Sequence, residues 1–246
     1  MSADPVELVD AHCHLDLFPD PAALARHVNE RRIHTIAVTN APSVFAHTEH
    51  LAAGSAYLHP AIGLHPELVA THGHELPRIR PALERTRYVG EVGLDYTTND
   101  LALRARQRDV FTKILGHCAE LGGKTITVHS RRAVADTIDT IGERFPGRVI
   151  LHWFTGTRKE LERALRFGLY FSINAAMVQT QKGRELIEAM PRDRVLTESD
   201  GPFVRLGAKS ADPTSAMVVI QHLARAWRCD GEAAQRIVLE NLGAVS

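Results

Sequence analysis

The chain predicts an α/β fold: a (β/α)8 TIM barrel, a single domain over residues 1–246, of the metal-dependent hydrolase type. Two observations predict it. Short apolar runs rich in β-formers alternate eight times with longer helix-patterned segments, and polar residues of metal-binding chemistry recur where those runs stop. The alternation by itself also fits a doubly wound open sheet. Polar strand ends favour the barrel, in which all eight open on one mouth.

The expected strands are residues 6–11, 34–39, 58–64, 88–94, 125–129, 149–152, 170–173 and 195–197. Each is short and mostly apolar, as strands covered on both faces require. Asp20 before Pro21 reads as an N-cap with proline at the first helical position, opening a helix to about residue 32. The longest periodic segment, 101–121, is stopped by Gly122 and Gly123. Helices are also expected over 131–145, 158–167, 181–190 and 214–227, with Pro146, Gly147 and Pro191 as punctuation, and weaker patterns cover 43–53 and 75–85. No linker, low-complexity tract or repeat divides the chain.

A chain of 246 residues, 44% hydrophobic, is long enough to bury a sizeable core, which excludes disorder. Lys plus Arg and Asp plus Glu each total 29, so no global basic field draws the protein to a polyanion; phosphate must be held locally. Cys13, Cys118 and Cys229 form no C-x-x-C pair, arguing against a disulfide framework or a zinc ribbon. With no secretory leader pattern and no bilayer-length apolar stretch, the expectation is a soluble cytoplasmic protein without a membrane partner.

Fourteen histidines are many for this length. His12 and His14 follow the first expected strand, and in extended chain residues two apart project to one side, so both imidazoles can converge while Cys13 faces away. With so many histidines, chance supplies about one such pair; His72 and His74 form a second copy in an expected loop. The first pair gains weight from later strands, which carry His65, Glu91 and Asp95, His129, His152, and Glu198 and Asp200 at or near their C-terminal ends. A lone buried histidine is more often a hydrogen-bonded core residue. Imidazoles and carboxylates at six strand ends need compensation, which a divalent cation provides. The other nine histidines, among them His27, His47, His50, His117 and His222 on expected helices, need no function.

Read in order, His-Cys-His, Gly-Leu-His-Pro, Gly-Glu-Val-Gly-Leu-Asp-Tyr, Thr-Val-His-Ser-Arg, His-Trp-Phe-Thr-Gly and Glu-Ser-Asp-Gly-Pro resemble the successive signatures of the TatD family of metal-dependent deoxyribonucleases, from about Val9 to Pro202. The resemblance implies a barrel with a two-metal centre that hydrolyses DNA phosphodiester bonds, often as an exonuclease from the 3′ end of single strands. Carried onto matching positions, it implies one metal on His12, His14 and Asp200, and a second on His129 and His152, bridged by Glu91. Asp200 and Glu91 are the catalytic pair, with Asp200 orienting or deprotonating the water. Two divalent ions are expected, Zn, Mn or Mg, since mixed imidazole and carboxylate donors suit a transition ion and do not bar hydrated Mg²⁺. His65 is expected to touch the scissile phosphate or a third metal, and Glu198 to be a further ligand or a partner behind one. Arg131 is placed to neutralise a phosphate, while Arg132 reads as a solvated residue at a helix start. Tyr96, Trp153 and Phe154 are candidates to stack on unpaired bases, against the alternative of simple packing.

After Pro202 the sequence departs from the family, with residues 207–213 standing where an Arg-Asn-Glu-Pro-like stretch normally lies; Arg205 and Lys209 supply positive charge there. This compact, divergent end is similar to TatD-type nucleases encoded in bacterial anti-phage defence clusters, which implies a role in antiviral defence with defence-complex protein partners; DNA repair is the other context. Two alternatives stay open: an amidohydrolase-like barrel cutting an ester, amide or aminoacyl-tRNA bond, and a non-catalytic subunit of a defence complex.

Overall fold

The structure, a computed structural model, describes residues 7–246. Eight strands form one sheet in sequence order: β1 (Leu8–Cys13), β2 (Ile33–Val38), β3 (Leu58–Ile62), β4 (Tyr88–Gly93), β5 (Thr125–His129), β6 (Arg148–His152), β7 (Tyr170–Ile173) and β8 (Val195–Thr197). All seven neighbouring pairs are parallel. The sheet closes where the Thr197 hydroxyl donates to the Val9 carbonyl and the Asp200 amide donates to the His12 carbonyl at 2.9 Å. Closure selects the barrel over the open sheet.

The outer layer is α1 (Pro21–Glu30), α2 (Phe45–Leu51), α3 (Val69–His72), α4 (Ile79–Leu83), α5 (Leu101–Leu121), α6 (Val134–Ile141), α7 (Arg158–Arg166), α8 (Ala175–Gln179), α9 (Gln181–Ala189), α10 (Ala216–Trp227) and α11 (Gly231–Val245). Local chemistry sets their ends. Asp20 caps α1 by accepting from the Ala23 amide, Thr157 and Glu160 close a reciprocal capping box on α7, and Gly122 ends α5 at φ 67°. Strand side chains such as Val89, Ile126 and Ile150 meet helix residues such as Phe111, Ile114 and Leu161 in a shared core, all fully buried.

Several expectations shift. The first strand runs to Cys13, so His12 lies within it instead of after it, and Val6 falls outside the described residues. The helix expected over 131–145 is confined to Val134–Ile141, because Arg131 and Arg132 form a turn, with Arg132 at φ 56°. The 214–227 helix starts at Ala216, after a 3-10 turn over Pro213–Ser215. The unexpected α11 is capped by Asp230 and packs on α10, while the Asn241 amide donates to the Arg192 and Val195 carbonyls beneath β8.

The parallel ladders skip at two places, between Asp10 and Cys13 in β1 and between Val89 and Val92 in β4. Those irregularities flank His12 and Glu91, and bulges of this kind re-aim side chains. Across β3, the Glu91 amide donates to the Thr39 carbonyl at 3.0 Å. Gly63 lies between them: a Cβ there would stand 2.3 Å from each of those atoms, so only glycine lets β2 and β4 approach over it.

Candidate metal centre

The C-terminal strand ends converge on a cavity of about 630 Å³ lined by His14, His65, Glu91, His129, His152 and Asp200, with His12 buried directly beneath. Glu91 is the hub. Its Oε2 lies 3.5 Å from His12 Nε2 and 3.3 Å from His14 Nε2, and its Oε1 lies 2.6 Å from His129 Nδ1, 2.8 Å from His152 Nε2 and 3.5 Å from His65 Nε2. Asp200 Oδ1 completes the first group at 3.8 Å from His12 Nε2 and 3.6 Å from His14 Nε2, while the two imidazole nitrogens are 3.3 Å apart.

The three donors of His12, His14 and Asp200 stand 3.3–3.8 Å apart, close to the ligand–ligand separation of about 3.4 Å around a tetrahedral ion with bonds of roughly 2.0–2.1 Å. Three trios have donor atoms close enough to share an ion: His12, His14 and Asp200; His12, Glu91 and His152; His65, Glu91 and His129. The donor chemistry and spacing fit divalent cations.

The electrostatics of the protein alone point the same way. Burial works against charge on His14, yet Asp200 and Glu91 outweigh it and push its pKa up to about 9. Burial likewise opposes charge on His152 and His129, but Glu91 raises both, assisted by Glu198 for the first and Asp95 for the second. Glu91, although buried, is held well below the usual carboxylate range by His65, His152 and His129. His12 is driven down by burial and by neighbouring His152. Protons on imidazoles thus balance the carboxylates where a cation could replace them.

Around the donors stands a layer of orienting groups. Asp95 Oδ2 lies 2.7 Å from His129 Nε2, while its Oδ1 accepts from the Thr97 amide and hydroxyl. With carboxylates at both nitrogens, His129 would keep its Nε2 proton on Asp95 when Nδ1 takes a metal. Thr127 Oγ1 lies 2.8 Å from His12 Nδ1. Glu198, fully buried, accepts from the Trp153 amide, the Ser172 hydroxyl and the Asn174 amide, and stands 3.7 Å behind His152 Nδ1. Asp10 accepts from the His12 amide and from the amide and hydroxyl of Ser199, tying β1 to the β8 loop; burial lifts its pKa to about 7.

The rim departs more from expectation. Arg131 and Trp153 line the cavity, and so does Arg132, which is exposed as expected but lies in a turn at the cavity and not at a helix start. Phe154 does not reach the mouth: its ring is fully buried, edge-on to Phe171 at 5.3 Å. Tyr96 lies in an adjoining hollow, where its hydroxyl donates to Asp136 and Arg104 covers its ring. Arg205 bonds Ser210 and Ala208 within the short hairpin β9 (Arg205–Leu206) and β10 (Lys209–Ser210), not in the cavity. His72 and His74 bond Thr71. Sequence reasoning missed Phe203, exposed at the cavity edge beside His14, and named Asp95 without a role. The Asp200–Phe203 spacing was readable, whereas the Asp95–His129 contact spans 34 residues.

The chain is 38% identical over 122 residues to a 3'-5' ssDNA/RNA exonuclease TatD of Edwardsiella piscicida, covering 47% of this chain and 46% of that one. It is 32% identical over 212 residues to a protein of the same name from Musicola paradisiaca, covering 79% of each. The chain thus spans about half the length of some curated relatives it matches and 79% of another. The crystal structure of YJJV, a TatD homolog from Escherichia coli, superposes with a TM-score of 0.87 at 25% identity, covering 97% of each chain. The family model described as TatD related DNase matches residues 9–245, and the chain belongs to that family.

Proposed function

We propose that this protein is a two-metal phosphodiesterase, a 3′–5′ exonuclease acting on single-stranded DNA. The observation that carries the reading is Glu91, whose two carboxylate oxygens face two separate imidazole groups. His12, His14 and Asp200 would hold one ion and His129 and His152 the other, with Glu91 between them. Bound cations would neutralise phosphate charge, lower the pKa of a water and align attacking and leaving oxygens.

The protein's own groups do the rest. Asp200 orients the attacking water and accepts its proton at a carboxylate oxygen. Arg131 and Arg132 neutralise non-scissile phosphates, and His65, at the rim, contacts the scissile one. Asp95 fixes the ring of His129, and Glu198 places a negative charge 3.7 Å behind the ring of His152. Attraction for a polyanion then comes from cations absent from the formal charge of zero. An amide or ester hydrolase of the amidohydrolase kind commonly uses a bridging lysine, and here that place is taken by Glu91.

The test incubates the protein with end-labelled single- and double-stranded DNA and with RNA under Mg²⁺, Mn²⁺ and Zn²⁺, beside Glu91→Ala and Asp200→Ala. Stepwise shortening of single strands from the 3′ end, lost in both variants, is expected. Intact substrates throughout, or variants as active as the parent, would overturn the reading.

A further inference from the structure

Phe203 is 56% exposed, the one aromatic side chain on the surface among the described residues, and it borders the metal-centre cavity. Leaving a large ring in water forfeits burial that every other aromatic in the chain at least partly secures. Its backbone, by contrast, is firmly held. The Phe203 amide donates to the Asp200 carbonyl at 2.9 Å, and the Val204 amide donates to the same oxygen at 3.1 Å. Val204 is buried with Ala211, whose amide donates to the Val204 carbonyl at 2.8 Å. Trp153, also on the cavity, packs against this cluster. The Phe203 ring meets the His14 imidazole at 5.0 Å between centroids and 86° between planes. One turn therefore carries both Asp200 and a rigidly mounted, water-exposed ring beside a group in the first donor set.

We propose that Phe203 is the stacking platform for the nucleobase flanking the scissile phosphate, with Trp153 as the adjoining apolar wall. It takes the role that sequence reasoning gave to Phe154. The proposal rests on the phosphodiesterase reading and adds to it a base subsite and a reason for preferring unpaired ends. A base still paired in a duplex must leave its partner before it can be drawn onto the ring, at the cost of unpairing and unstacking it, whereas an unpaired end is free to stack. The surroundings favour a nucleotide as occupant: cation-binding donors lie on one side of the ring, and Arg131 and Arg132 line the same cavity. The fixed backbone also lowers the ordering cost of the contact.

The experiment compares the full-length, Mn²⁺-loaded parent with Phe203→Ala, Phe203→Leu and Phe203→Tyr. Substrates are a short single strand and the same strand with its last two nucleotides lacking bases. A third strand ends in 2-aminopurine, whose fluorescence is read on mixing with metal-stripped protein. The parent is expected to favour the base-bearing strand. Phe203→Ala and Phe203→Leu should raise KM for it by roughly tenfold to a hundredfold, with kcat changed much less, so that the ratio between the two strands approaches one; Phe203→Tyr should restore it. Leucine keeps apolar bulk against His14, and metal content measured for each variant separates stacking from damage to the donors. If the variants lose the same factor on both strands, Phe203 only packs on His14 and the platform is overturned while the phosphodiesterase reading stands. If the parent cuts neither strand, that reading fails and quenching decides the platform. Quenching that persists in the parent and Phe203→Tyr but is lost in Phe203→Ala and Phe203→Leu supports it; any other pattern overturns it.

Discussion

Both ends of the same barrel carry histidines, and they behave in opposite ways. At the mouth, His12, His14, His65, His129 and His152 share Glu91 and Asp200 as partners, and the pKa values of His14, His129 and His152 rise. At the floor, His34 and His59 face each other at 3.4 Å; Glu7 lies 2.7 Å from the far nitrogen of His34 and accepts from the Tyr57 hydroxyl. Burial, then His34, drives His59 down to about 4. The floor rings share no carboxylate, and His59, partly buried and beside His34, is held neutral. Converging carboxylates, more than the number of imidazoles, mark the metal centre.

That contrast can be broken at its hub. Glu91→Gln keeps the shape of the side chain but removes the charge facing both donor groups, and should lower cleavage by roughly a thousandfold with loss of bound metal, read by strand shortening and elemental analysis. Full activity with full metal content would mean that Glu91 is not the shared donor. One layer out, Asp95→Asn and Glu198→Gln should each cost about 10–100-fold in metal affinity or rate, checked by metal titration. Unchanged affinity would reduce both to packing groups.

The opposite shifts also predict opposite responses to pH. Protonated His14 contributes to the metal-free fold below its unfolded value of 6.5, and that contribution is lost as pH rises through about 9. Cations meet less competition from protons over the same interval, so the rise in Tm on adding Mn²⁺ should grow from pH 6.5 to 9. Neutral His59 contributes above 6.5 and loses its contribution as pH falls through about 4. His59→Gln should therefore flatten the acid limb of stability within that window, the smallest effect here, with cleavage at neutral pH unaltered. A variant whose acid limb matches the parent would show the floor pair to be silent.

The repeating strands were legible because a twice-covered strand announces itself as a short apolar run: the bounds of β5, β7 and β8 coincide with expectation. β1 runs past its expected end because His12, polar in sequence, is buried in it beside Thr127, more than a hundred residues away. α11 was missed although Asp230 supplies its cap, since its pattern follows no strand. At the site, strand-end positions pointed to the mouth through the barrel rule, and the family resemblance sorted them into donor sets. Phe154 was expected at the mouth and Phe203 passed over because composition cannot tell a ring that turns under a loop from one that turns over it; Phe154 packs on Phe171, while Phe203 is exposed at the cavity.

Three residues around the cavity, Arg132, Trp153 and Asp200, have positive φ values of 56°, 39° and 45°. Left-handed backbone outside glycine costs on the order of 1–3 kcal/mol per residue, least for aspartate and more for a bulky side chain such as tryptophan. The mouth is thus the part of the molecule with most to gain by relaxing, while the strands beneath it have no such incentive. On slow heating the protein should fall silent as a catalyst some degrees before its barrel comes apart, and bound cations should narrow that interval.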